Sequence, residues 1–216
     1  MASPGASGRT PFTAMLENKM QKIWLLVPIV ALYAGLVLRL PGQPASAADG
    51  PRFTGDRLER PGDYREWVWL SSGLGMSYGP TSKADPSAEA PFDNVFVTPA
   101  AYRAFLRTGT WPDQTMLVLE QRVSESRGSI NQQGHYQGEF RAMEVELKDQ
   151  RRFAGGWAFF SFERGASSAA PIPRSAACYS CHAQHGAVDN TFVQFYPTLV
   201  EIARQKGTVK PAAEAR

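Results

Sequence analysis

Cysteine is almost missing from this 216-residue chain: there are two, alongside three histidines. Two cysteines close at most one disulfide, so the fold must rest on its own hydrophobic core and not on a disulfide framework. An excess of charge of one sign is missing as well. Residues 1–47 hold Arg9, Lys19, Lys22 and Arg39 against Glu17, so of the 23 basic and 20 acidic residues 19 of each fall after them. A neutral, mixed surface gives no electrostatic footprint for nucleic acid, which removes that class of partner. Internal repeats and collagen-like periodicity are also absent, and the length suits one domain or at most two small ones.

One long apolar run is present. Ile23 to Leu38 is uncharged, follows Lys19 and Lys22, and leads through Arg39 into Pro41-Gly-Gln-Pro-Ala-Ser-Ala-Ala48. A helix of this length spans about 24 Å, short of the ~30 Å hydrocarbon core. Basic flank, apolar run and the small-residue triplet Ala45-Ser46-Ala47 follow the order of a secretory signal peptide. A signal starting at Met20 has the usual proportions. Retained, the same segment would be an N-terminal anchor. Either way residues 48–216 are expected outside the cytoplasm, in the periplasm.

Those 169 residues suffice for one core. Gly79–Pro91 and Gly165–Pro173, rich in Pro, Ser and Ala, read as loops. Asn94–Thr98 reads as a short strand, after which Thr98 and Pro99 open a helix through Leu106 that stops near Gly109. Thr115–Val123 is a second strand. In Phe140–Leu147, Met143, Val145 and Leu147 alternate with Ala142, Glu144 and Glu146, the pattern of a half-buried strand. Trp157–Phe162 is a fourth strand, whose aromatics are either plain sheet core or part of a cofactor pocket. The expected class is α+β, a mainly antiparallel sheet with a few helices.

Both cysteines fall in one pentapeptide, Cys178-Tyr-Ser-Cys-His182. In an exported protein this is the spacing of covalent haem c attachment. On a helix, residues three and four apart share a face, so Cys178, Cys181 and His182 can address one porphyrin. The thiols would form thioethers and His182 would be the proximal iron ligand. A dithiol redox pair is the first alternative, although such pairs open a βαβ unit and this one follows an Ala/Pro loop near the C-terminus. A zinc site from Cys178, Cys181, His182 and His185 is the second. Four donors within eight residues make poor tetrahedral geometry, unless His135 replaces one.

No methionine follows His182, so the downstream Met that serves many electron carriers is missing. His185, one turn beyond His182, belongs to the same side of the haem. His135 lies in a polar, Gly-containing stretch, while Met116 and Met143 fall within strands. The economical expectation is a five-coordinate iron open to a small ligand; a six-coordinate electron carrier using His135, Met116 or Met143 is the competing one.

Cys178-Tyr-Ser-Cys-His182, with Val188-Asp189 and Phe192-Val-Gln-Phe-Tyr-Pro197 after it, resembles the C-terminal signature of the cytochrome P-460 and cytochrome c′-beta family. The resemblance continues upstream through Asp63–Val68, Asn94–Arg107, Thr115–Val123, Arg152-Phe153 and Trp157–Phe159. It implies an antiparallel β domain, usually a homodimer, holding one five-coordinate haem c, in proteins that bind nitric oxide or oxidise hydroxylamine, with a redox partner protein to be expected. In the hydroxylamine-oxidising branch the strand matching Thr115–Val123 carries a porphyrin-linked lysine just before a Glu. Here that position is Leu119, before Glu120. Leucine has no nucleophilic nitrogen, so the resemblance favours the nitric-oxide-binding branch, with Leu119 in an apolar distal wall and Glu120 turned the other way, toward solvent. On periodicity alone an inward-facing core residue of its strand is the more common reading of Leu119.

Overall fold

A computed structural model describes residues 50–76 and 90–211, all within the unit Ala48–Arg216. Residues 1–47, expected to direct export, and most of the loop Gly79–Pro91 lie outside the described residues. The order of elements begins with β1 (Phe53–Thr54), β2 (Arg57–Glu59), a 3-10 turn (Tyr64–Glu66), β3 (Val68–Leu74) and β4 (Phe92–Val97). It continues with α1 (Pro99–Thr108), β5 (Met116–Glu125), β6 (Tyr136–Lys148), β7 (Trp157–Phe162) and β8 (Ser168–Ala169). It ends with α2 (Ala177–His185), a second 3-10 turn (Val193–Phe195) and α3 (Pro197–Lys206).

Strands β3 to β7 form one antiparallel meander in chain order, and β1, β2 and β8 a separate three-stranded sheet. The α+β class expected from the sequence is the class observed. Helix α1 starts on Pro99, whose missing N–H is no loss in a first turn, and stops at Gly109. That residue adopts the left-handed conformation at φ 72° and returns its N–H to the Phe105 carbonyl. The Gly165–Pro173 loop is not wholly irregular: Ser168 and Ala169 pair with Glu59 and Leu58.

The meander is covered on both faces, and strand alternation sorts its side chains between them. One face carries Val97, Leu117 and Trp157 and packs against Ala101 and Phe105 of α1 and Leu199, Val200 and Ala203 of α3. Phe105 lies 4.3 Å from Trp111, a pairing that adds about 0.5–1.5 kcal/mol beyond its buried area. The other face carries Met116, Val118, Met143, Val145, Phe160 and Phe162, sealed by Leu58, Tyr64, Trp67 and Ala169. The aromatic strand therefore serves both readings: Phe160 and Phe162 are plain core, while Phe159 turns to the face that carries the functional residues.

Glu120 corrects the sequence reading. It turns away from Leu119 as expected, but into the second core and not to solvent, with 1% of its surface exposed. It accepts from Tyr64 Oη at 2.7 Å, pairs with Arg122 at 3.0 Å and also pairs with Arg65. Burial alone would raise its pKa. The bonds from Arg122 and Tyr64 and the two guanidinium charges outweigh that and hold it below the usual carboxylate range.

Candidate functional site

Helix α2 contains the whole pentapeptide Cys178–His182, and none of its residues is fully buried. Cys178, Tyr179, Cys181 and His182 are half-buried, whereas Ser180, Ala183 and Gln184 are exposed. The i, i+3, i+4 spacing thus brings both thiols and the imidazole to the side of the helix that meets the protein. That side rests on β7 and the segment after α2: the Phe159 ring lies 4.7 Å from Tyr179 and 4.5 Å from His182, and Phe192 lies 4.4 Å from His182 on centroids. The imidazole is held between two tilted aromatic rings.

His182 Nδ1 donates to the Asn190 carbonyl at 2.8 Å. With the proton on Nδ1, the lone pair sits on Nε2, the arrangement of a metal-ligating imidazole whose other nitrogen is fixed from behind. Burial lowers the His182 pKa against the opposing pull of the Asn190 carbonyl, which favours the neutral ring. Burial raises the Cys178 thiol above its ordinary value; neighbouring backbone N–H groups oppose this, and the charges of Glu144 and Cys181 add to it. A protonated thiol is a poor metal ligand or exchange nucleophile. Among the described residues no group of three or more His, Cys, Asp or Glu side chains could hold a metal ion, so the zinc alternative has no support.

Glu146 corrects a second assumption. Alternation with Met143, Val145 and Leu147 reads as a solvent-facing row, yet Glu146 stands opposite Leu117 and Phe159 on the face that meets α2. Its Oε1 lies 3.4 Å from His182 Nδ1, and its buried Oε2 has no hydrogen-bond partner. Burial, then the Glu144 charge, push its pKa up to about 8, so at neutral pH it is an uncharged carboxyl and the contact is no ion pair. Glu144 stands opposite Leu119 and Ser161 on the same face and remains exposed. Two strands over on β4, in the row of Gln121 and Ala142, Asp93 is 3% exposed, accepts from Gln121 Nε2 at 2.9 Å and leaves Oδ2 unpartnered; its pKa is raised by burial.

The other candidates are dispersed. Leu119 is half-buried between Val95 and Glu144, on the face that carries Glu146. Met116 and Met143 are buried in the opposite core. His135 is exposed, 3.0 Å through Nδ1 from Ser124 Oγ. His185, exposed at the end of α2, offers its carbonyl to Gln194. Met76 lies over Gly73, its Sδ 2.3 Å from where a Cβ would stand. Gly73 belongs to β3, three strands or about 14 Å from β6, too far for Met76 and His182 to share one iron.

Asn190, Glu146 and Gly186 escaped the sequence reading. Asn190 acts through its backbone and leaves no side-chain signal. Gly186 has an ordinary φ of −64°. A Cβ there would come within 2.7 Å of the His182 carbonyl oxygen and 2.8 Å of Asn190 C and Thr191 N, so glycine is needed for close approach, which no spacing rule reveals.

The donor set, an imidazole fixed through Nδ1 beside two thiols on one helix face, fits a haem. No curated protein matches this chain. The model of the cytochrome P460 family does match, over residues 61–193, which take in β3 to β8, all of α2 and the Asn190 turn. More than half of the chain is covered, and it belongs to the cytochrome P460 family of haem proteins.

Proposed function

We propose that this protein is an exported c-type cytochrome that holds one covalent haem and binds or detoxifies nitric oxide. In this reading residues 1–47 direct export to the periplasm, by a cleaved signal or a retained anchor, and residues 48–216 act there as a homodimer served by a redox partner. The observation that carries it is the dispersal of possible second axial ligands: Met116 and Met143 in the opposite core, Met76 just after β3 and over its Gly73, His135 at Ser124 and His185 on the same helix as His182.

When bound, the haem would supply an iron able to bind a small ligand. Cys178 and Cys181 would anchor the ring, and His182 would present Nε2. The Asn190 carbonyl keeps the proton on Nδ1 and so fixes which nitrogen is available. Phe159 and Phe192 restrict rotation of the imidazole and shield it from water. Leu119 contributes an apolar wall that favours a neutral diatomic ligand over anions. It also lacks the nitrogen needed for a porphyrin link, which counts against hydroxylamine oxidation.

The test is the protein produced with haem-c maturation. A haem-stained band on a denaturing gel, lost in Cys178→Ser/Cys181→Ser, and a high-spin ferrous spectrum that changes on adding nitric oxide are expected. A low-spin ferrous spectrum indifferent to nitric oxide would overturn the reading. An intact mass showing a lysyl link, with hydroxylamine turnover, would replace it with the enzyme.

A further inference from the structure

We propose that the ion pair between Lys148 and Asp189 is a positioning device for the proximal histidine, setting how strongly His182 is held from behind; this rests on the reading of His182 as the iron ligand. The acceptor of His182 Nδ1 is a main-chain carbonyl, that of Asn190, so its position is fixed by whatever fixes the turn around it. The turn is tight. Thr191 N donates to the Val188 carbonyl at 3.0 Å, Val188 N to the Thr191 carbonyl at 3.4 Å, and Asp189 between them sits in the left-handed region at φ 52°. A non-glycine residue there persists only where its surroundings hold it.

Lys148 does the holding. It ends β6, is 9% exposed, and its Nζ donates to Asp189 Oδ2 at 2.9 Å and to the Trp111 carbonyl at 2.8 Å. Trp111 in turn donates from Nε1 to Thr191 Oγ1 at 2.7 Å. Both ends of the turn are therefore tied to one scaffold, through Asp189 on one side and Thr191 on the other. Gly186 lets this braced turn lie directly against the end of α2.

The strand that carries Lys148 also carries, two residues earlier on the same face, Glu146, whose Oε1 stands 3.4 Å from Nδ1 as a rival contact. Bracing Asn190 at 2.8 Å decides between them. Partners behind a metal-ligating histidine raise its basicity, and losing them changes metal-site properties by about 10–100-fold. Lys148 and Asp189 touch neither ring nor iron in this scheme; they act through Asn190.

The experiment uses the haem-loaded full chain and reads the Fe–His stretching band of the ferrous state by resonance Raman, with the nitric oxide dissociation rate as second readout. Lys148→Met and Asp189→Asn are expected to move the band to lower wavenumber and change the rate by about tenfold. The double variant should move them no further than either single one, because the two act as a unit. Lys148→Arg, which keeps the cation, should restore most of the band position. Asp189→Asn preserves size and tolerance of the left-handed conformation, so it carries the test if Lys148→Met does not fold. A band unchanged in the variants, with only the melting temperature lowered, would overturn the positioning role and leave a structural ion pair. A wild-type chain with no Fe–His band would sink the assignment of His182 first, and the proposal with it.

Discussion

The two faces of the meander hold two glutamates on adjacent strands, Glu120 on β5 and Glu146 on β6, and treat them in opposite ways. Glu120 is sealed in an apolar core yet is fully partnered by Tyr64, Arg122 and Arg65, and its pKa is lowered. Glu146 faces α2 with one oxygen unpartnered and its pKa pushed up to about 8. A buried carboxylate serves the fold when its charge is neutralised. A carboxyl kept uncharged by burial adds little to stability. Of these two carboxyls, that one lies beside the Cys178–His182 pentapeptide.

Removing Glu120 should have the larger effect. Glu120→Ala leaves Tyr64 Oη and two guanidinium groups without their acceptor, at a cost of about 3 kcal/mol, reduced from the full buried-pair penalty because Arg65 is half-exposed. In a domain of this size that lowers Tm by roughly 6–12 °C at pH 7, with the haem spectrum unmoved. The sign with pH follows from the lowered pKa: the contribution is complete above the ordinary carboxylate range and is lost as pH falls through the folded-state value. Thermal melts of wild type and Glu120→Gln should therefore converge as pH falls through the lowered folded-state value. A gap that persists there would mean that the ion pairs are not what Glu120 contributes.

Glu146 should behave in the reverse sense. With a raised pKa, its favourable contribution is complete below about 4.5 and lost as pH rises through about 8. In the chain lacking haem, Glu146→Gln should match the wild type at pH 4 and exceed it by about 1–3 kcal/mol at pH 9. Denaturant titrations at the two pH values check this. A variant equally stable or less stable than the wild type at pH 9 would show that Glu146 is ionised without penalty.

The sheet was legible because Met143, Val145 and Leu147 alternate with polar residues and Trp157–Phe162 is dense in aromatics, signals that local sequence carries. The Cys178–His182 pentapeptide was legible from its spacing alone, and α2 does bring its two thiols and imidazole to one side. Alternation could not tell a polar position that meets water from one that meets other protein groups, so the polar side of β6 read as the exposed half of a half-buried strand and Glu120 as solvated. Which partners a carboxylate finds is a tertiary fact: Tyr64 and Arg65 are more than fifty residues from Glu120 in the chain. The Asn190 carbonyl and the close approach at Gly186 belong to the backbone and carry no side-chain signature.

Leu119 and His185 sharpen the contrast at its weakest end. Leu119→Gln places an amide on the half-buried face between Val95 and Glu144. If this residue walls the distal side, the amide admits water and weakens nitric oxide binding by at least about tenfold, as even one methylene in an apolar pocket is worth about 1–3 kcal/mol. An unchanged nitric oxide titration would leave Leu119 as ordinary packing. His185→Ala should do less still. The residue is exposed at the last turn of α2, and a surface substitution away from caps, pairs and packing changes stability by under about 0.5 kcal/mol. Its ring shares a helix with His182 and so cannot approach the iron from the opposite side. Haem content, the ferrous spectrum and nitric oxide affinity should therefore match the wild type, and a loss of haem or a change of spin state in this variant would return His185 to the ligand set and break the five-coordinate assignment.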